Sequence, residues 1–327
     1  MLRADSLAGR IVTAFARTSP AFRPADDGIP GGTWWRAWRR TTPAFARSSP
    51  ADTMTIVFPA PRGRGSGDVD PGEARPPATT RGDLQIGPFQ NLRGLNLRGV
   101  NLRGVNLRGV NLRGVNLRGE DLTEADLIGA DLTEADLTEA DLTSATLTEA
   151  DLTSATLHGA DLTRAILTEA TLTSATLTSA TLDRANLRSA DLNGAILTEA
   201  TLTSATLTSA TLDRANLRSA DLNGAILTRA TLRSATLTGA DLRSANLNGA
   251  NLFSAHLNGT DLSGAHLFGA ILADAYLAGT VWDEETVWPD AGWAERMRRS
   301  SERLPDGRWR VRAAGEAGAS GNALVPV

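Results

Sequence analysis

The side chains able to move protons or hold a metal are few and poorly placed for either task. The chain has three histidines, His158, His256 and His266, and no cysteine among its 327 residues. Carboxylates are plentiful, with twelve acids and no arginine between residues 120 and 163. A metal site needs three or four ligands converging, and nucleophilic catalysis needs a Ser or Cys within reach of a base. No Ser–His–Asp arrangement and no glycine-rich phosphate loop between a strand and a helix is legible. The sequence therefore predicts no enzyme, no cofactor and no metal. Whether the histidines or carboxylates can meet depends on the backbone that carries them.

That backbone announces itself by a period of five. Leucine stands at every fifth position from Leu92 to Leu277, which makes 38 units without a gap. On an α-helix five residues turn the chain about 500°, so the leucines would line no single face. On a flat strand an odd spacing sends each leucine to the side opposite the last. The chain must bend once per unit, or the leucines never meet.

The unit reads A-[D/N/T]-L-x-x. Two residues before leucine stands Ala in almost every unit from Ala125 to Ala275, or Val at 100, 105, 110 and 115. Residues two apart on an extended backbone point the same way. Ala and Leu thus share the inside, and the Asp, Asn or Thr between them faces out. Ser, Gly, Glu or Arg then takes the corner. Repeated bends in one sense wind the chain into a coil of parallel strands about 4.8 Å apart. Four corners per turn would give about 9.5 turns from these 38 units, a rod of roughly 45 Å. Three or five sides would bury the leucines as well. The predicted core is the leucine column, represented by Leu92, Leu97, Leu102, Leu127, Leu147, Leu167, Leu187, Leu207, Leu227, Leu247, Leu267 and Leu277.

The run ADLTEADLTEADLTSATL at 130–147 resembles the pentapeptide-repeat family, whose pattern is A-[D/N]-L-x-x. The resemblance covers about 190 of the 327 residues. It implies an all-β fold, a right-handed, four-sided parallel β-helix. The stretch VWDEETVWPDAGW at 281–293 also resembles the tail that often ends such solenoids. Every centre here is Leu, where family members often mix in Phe.

Outside the repeats the composition changes. Residues 1–83 hold ten of the fourteen prolines and 12 Arg against 8 acids, without a sustained period. Such a segment buries too little apolar surface to offset its ordering entropy, and it reads as disordered. Trp34, Trp35 and Trp38 stand there beside Arg36, Arg39 and Arg40, read as a sticky patch on that tail. The predicted division is a disordered region 1–83, the β-helix 84–280, a capping segment 281–304 with a short helix, and a flexible tail 305–327. The helix is expected over about 290–303, with Asp290 as its cap and Arg296, Arg298, Arg299 and Arg303 late in it. Trp282, Trp288 and Trp293 are expected to cover the last turn. The same segment is expected to fold back on part of the outward apolar residues Phe253, Phe268, Ile271 and Tyr276. The rival reading of this end is a homodimer contact. No apolar run is long enough to span a membrane, and the cytoplasm is the expected compartment.

On a four-sided coil, residues 20 apart stack and residues 10 apart lie on opposite sides. His256 and His266 are thus separated, and His256 stacks on Tyr276. Arg93 to Arg118 form a basic collar on the first turns, followed by an acidic belt of Asp121, Glu124, Asp126, Asp131, Glu134, Asp136, Glu139 and Asp141. Each unit steps to the next side, so both zones read as belts around the rod. The belt is either a solvated surface or an electrostatic docking zone for a protein partner, whose identity the sequence does not give. Some relatives inhibit DNA gyrase by resembling duplex DNA. Here residues 84–280 carry 21 acids and 14 Arg, and the first turns are basic. A duplex of that length carries on the order of 26 negative charges, so the resemblance to DNA is partial. Direct nucleic-acid binding is not expected. Thr-Leu-Thr units are reminiscent of ice-binding ladders, but no side carries three in succession. Residues 166–195 and 196–225 are identical. A shift of thirty residues, one and a half turns, preserves the core and rotates the surface. The reading is a non-catalytic, rigid protein-binding scaffold, with a gyrase-directed DNA mimic as the alternative.

Overall fold

The computed structural model describes residues 54–57, 83–95 and 97–313, which belong to two units, Met1–Asn91 and Leu92–Val327. In the first unit β1 (Met54–Val57) and β2 (Asp83–Ile86) form an antiparallel pair, with Met54 opposite Ile86 and Val57 opposite Asp83. The sequence reading placed no strand in this region. MTIV is rich in β-branched residues that fit a pleated backbone, and averaging over a proline-rich zone hid it. The Trp34–Trp38 cluster and the rest of the stretch read as disordered lie outside the described residues.

The second unit is the coil. Parallel bridges join the residue before each leucine to the residue twenty positions on, from Asn106 with Asp126 through Asp261 with Val281. Twenty residues are four units, so the coil has four sides, and the three- and five-sided alternatives drop out. Leucine amides knit successive turns: Leu187 N donates to Thr206 O at 2.7 Å, and Thr206 N donates back to Ala185 O at 2.9 Å. The leucines from Leu92 to Leu267 are fully buried, and Leu277 is nearly so. The Val and Ala two residues before them line the same interior. Each buried leucine contributes about 1.5–3 kcal/mol.

The corners explain the poor strand composition. The third residue after each leucine donates its amide to the leucine carbonyl, as Ala190 N does to Leu187 O at 3.1 Å. The residue two after leucine takes a positive φ, 65° at Gly194, 56° at Ser179 and 59° at Glu169. This geometry resembles a type II turn, which favours Gly at that place. A side chain there costs about 1–2 kcal/mol. Ser, Glu and Arg nonetheless fill most corners, because the corner is fixed on both sides by inter-turn bonds and buried leucines.

The C-terminal end differs from the sequence reading in several places. The coil does not stop at 280. Trp282 takes the next leucine place, buried at the end of β3 (Val281–Trp282). After one inserted residue Trp288 takes the place after that, with Val287 bridged to His266 twenty-one positions back. No further turn follows beneath them, so a larger side chain fits. α1 spans Ala291–Ser300, shorter than expected, with Asp290 accepting from Trp293 N at 2.9 Å. Arg303 is not in the helix: it lies in β4 (Ser301–Arg303), which pairs antiparallel with β5 (Trp309–Val311). Residues 305–311, read as part of a tail, thus form a turn and a strand. β5 also pairs with β3, and Gly279 N donates to Val311 O at 2.8 Å. Trp282 stacks on Trp309 and meets Trp288 edge-on, both at 5.6 Å between ring centres, and its indole donates to Ser301 Oγ. Trp293 is buried and lies under the Arg296 guanidinium at 4.2 Å. The outward apolar residues are not covered: Phe268 is 68% exposed, Tyr276 51% and Ile271 48%. The segment instead runs its strand along the Val281 edge.

Two substitutions separate the core from the corners. Leu187→Ala should cost about 2–5 kcal/mol in urea unfolding, since neighbouring turns cannot collapse into the gap. Ser179→Gly should be neutral or raise the melting temperature, because relief of about 1–2 kcal/mol of left-handed strain outweighs or matches glycine's entropic cost of about 0.5–1 kcal/mol.

Candidate functional site

The acidic residues serve the backbone first. An Asp or Asn just before leucine accepts from the amide two residues on, closing the corner from outside. Asp131 takes Thr133 N at 3.0 Å, Asp151 takes Thr153 N at 2.9 Å, and Asn246 takes Asn248 N at 3.1 Å. Asp121, Asp126, Asp136 and Asp141 do the same with Thr123, Ile128, Thr138 and Thr143. This is the local side-chain-to-backbone bond that Asx residues favour in turns. The Thr123 hydroxyl and then its amide hold the Asp121 carboxyl below the ordinary carboxylate range. The family motif's Asp or Asn thus has a structural role, and its two-residue spacing was legible in the sequence.

The corner acids meet the basic collar. Glu134 pairs with Arg113 at 2.9 Å, Glu139 with Arg118 at 3.5 Å and Glu124 with Arg103 at 3.8 Å. Asp126 pairs with Arg108 at 3.1 Å. Collar and belt are one turn apart, so part of the belt's charge is spent within the coil. These pairs are exposed or half-exposed and are worth about 0–1 kcal/mol each. Sequence reading treated the two zones separately because it did not pair residues 18 and 21 apart.

The aspartates just before leucine are not evenly distributed around the coil. The bridges stack Asp121, Asp141, Asp161, Thr181, Thr201, Asp221, Asp241 and Asp261 in one column. Asp131, Asp151 and Asp191 stand on the opposite side, and Asp126 and Asp136 on the other two. The belt is therefore overlaid by a stripe along one side, which unit-by-unit reading missed. Within the stripe, partial burial pushes the Asp241 carboxyl up, and the Arg243 guanidinium and amide more than offset this, leaving it below the ordinary range. At the C-terminal end Arg308 reaches Asp261 at 2.7 Å.

The other candidates stay apart. His256 stacks on Tyr276 at 4.5 Å between ring centres, and His266 is bridged on a different side. Among the described residues no three His, Asp or Glu are grouped to hold a metal ion. An open hollow of about 240 Å³ lies between stacked corners, lined by Thr163, Arg164, Asp183, Arg184, Thr203 and Ser204. Asp183 there accepts from Thr203 N at 3.1 Å, one more bond between turns. Thr171 and Thr206 are bridged to Asp191 and Ile226, so the Thr-Leu-Thr units do not form a continuous ladder. Among the described residues no helix is long and apolar enough to cross a membrane.

The corner bonds give a direct test. Asp151→Asn should leave stability unchanged, because the amide oxygen still accepts from Thr153. Asp151→Ala should lose about 0.5–1.5 kcal/mol in thermal unfolding.

Comparison with known proteins agrees with this geometry. The pattern described as pentapeptide repeats matches in eight copies over residues 89–119 and 121–281. Curated protein sequences give no match. Among solved structures, HetL, a pentapeptide repeat protein involved in heterocyst differentiation regulation from the cyanobacterium Nostoc sp. strain PCC 7120, is 39% identical. That match covers 62% of this chain and 91% of HetL, with a TM-score of 0.42. QnrB1, a plasmid-mediated fluoroquinolone resistance protein, is 16% identical over 64% of this chain and 95% of its own, with a TM-score of 0.33. A pentapeptide repeat protein from the Arabidopsis thaliana thylakoid lumen is 25% identical over 38% of this chain and 83% of its own, with a TM-score of 0.25. The matched repeats span more than half of the sequence, and the chain belongs to the pentapeptide-repeat family, with the right-handed β-helix that membership implies.

Proposed function

We propose that this chain is a non-catalytic scaffold that docks a protein partner along its aspartate-bearing side. The observation that carries the reading is the column of Asp121, Asp141, Asp161, Asp221, Asp241 and Asp261 on one side of the coil. These carboxylates are tied to their own corners, so a partner orders little on binding them. A basic protein surface is the chemistry that such a side recognises. The body of the scaffold is the coil through Trp288, and the helix and hairpin that follow serve as its C-terminal cap. The cytoplasm is its proposed compartment, and no direct nucleic-acid contact is proposed.

Replacing Asp141, Asp161, Asp221 and Asp241 together with Asn keeps the corner bonds and removes four charges. Proteins captured from the native cell by the unaltered chain and lost with this variant support the reading. An identical set of captured proteins removes it.

The same column favours a second reading, a DNA-like rod that binds DNA gyrase. A supercoiling assay with no inhibition and no gyrase retention closes that reading. The apolar side chains left exposed at Phe268, Ile271 and Tyr276 favour a homodimer through the C-terminal end. Sedimentation should then show a dimer for the unaltered chain and a folded monomer for Phe268→Ser with Ile271→Ser.

A further inference from the structure

The inward place two residues before leucine is Ala or Val in every unit between 100 and 255, with one exception, Glu120. Its side chain is buried, and Oε1 accepts from Gly99 N at 2.6 Å. At neighbouring corners the equivalent amide donates to a backbone carbonyl of the next turn: Gly94 to Arg113 O at 3.0 Å, Gly104 to Thr123 O at 2.8 Å. At this corner a side chain stands in for the Arg118 carbonyl.

The ladder is disturbed around it. Leu97 N to Asn116 O is 3.3 Å, Asn116 N to Leu95 O is 3.4 Å and Leu102 N to Asp121 O is 3.2 Å, against 2.7 Å for Leu107 N to Asp126 O and Leu112 N to Asp131 O. Asp126 N donates to Val105 O at 2.9 Å, and the counterpart from Asp121 N to Val100 O is not made. Asn101 is not bridged to Asp121, whereas Asn106 is bridged to Asp126. Glu120 thus stands in a place that holds Ala or Val in the flanking units, where the turns lack this pair of backbone bonds, and its carboxylate bonds across the gap.

We propose that Glu120 is a carboxylate latch that makes the first turn of the coil releasable at this corner. Ionised, it holds the Gly99 amide by a charge-assisted bond, the stronger kind. Neutralised, it loses that strength while still occupying the space of the missing backbone bonds. The Leu97–Leu102 stretch of the first turn then swings out and bares the edge at Leu117–Asp121, which an extended strand can pair with. The charged groups at this corner and on the turns packed against it are Arg98, Arg103, Arg118, Asp121, Glu124, Glu139 and Asp141. Arg118 is drawn to Glu139 and Arg103 to Glu124, while Thr123 and Thr143 amides hold Asp121 and Asp141. A variant at Glu120 alone separates its bond from theirs.

Amide hydrogen exchange on the full chain tests the latch. Protection of Gly99, corrected for the intrinsic rate, should fall about tenfold or more in Glu120→Gln, while that of Leu187 holds steady. Glu120→Ala installs the residue found in most other units and should fold. It should let the backbone ladder close, raising protection at Asp121 about tenfold. Gly99 equally protected with Glu and Gln at 120, or Asp121 equally protected with Glu and Ala at 120, overturns the proposal.

Discussion

Everything in the coil depends on one constraint, the corner. A leucine carbonyl accepts the amide three residues on, and the residue between them in the left-handed region turns the chain. This bend brings the next leucine back to the axis. Without it, a five-residue leucine spacing buries nothing, because neither a straight strand nor a helix gathers the leucines on one side. With it, four units close a turn and three of every five backbone amides find a carbonyl about twenty residues away. The strain of a positive φ at Ser179 or Glu169 is tolerated because it is shared between two ladders and an interior without polar gaps.

The corner also explains the rest of the motif. Ala or Val precedes leucine by two because the inside has little room, and at Glu120 the side chain supplies a bond that a backbone carbonyl makes at neighbouring corners. Asp or Asn stands just before leucine because a short acceptor there reaches the amide two residues on. Charge at that place is therefore a by-product of turn chemistry. Its arrangement is not: successive copies of the unit could place Asp on any of four sides, and this chain gathers most of them on one.

The ends show the same physics under different boundary conditions. A stack of turns leaves an unpaired edge at each end, which is a pairing hazard. At the C-terminal end the edge at Val281 is paired antiparallel by β5, and Trp282 and Trp288 fill leucine places where no further turn limits their size. Two late inward threonines, Thr260 and Thr280, satisfy their hydroxyls on the carbonyls of Leu237 and Leu257. The two threonines thus meet their polar groups, whereas the Trp288 indole nitrogen is buried without a hydrogen-bond partner.

The sequence by itself determined the repeat, the leucine core and the corner residues, because a strict period of five has few physical solutions. It also determined the stacking of His256 on Tyr276, through the rule of twenty, and Asp290 as the helix cap. The number of sides was open from spacing alone, and the i to i+20 pairing decided it. Tertiary structure alone decided which charges meet. Arg113 and Glu134 are neighbours only once the coil closes, and the aspartate column appears only when turns are laid in register. It also decided the fate of the C-terminal end, where Trp282 continues the leucine column and Trp309 returns to stack on it. These contacts join residues far apart in the chain, and local propensity carries no information about which distant backbone edge a strand will find.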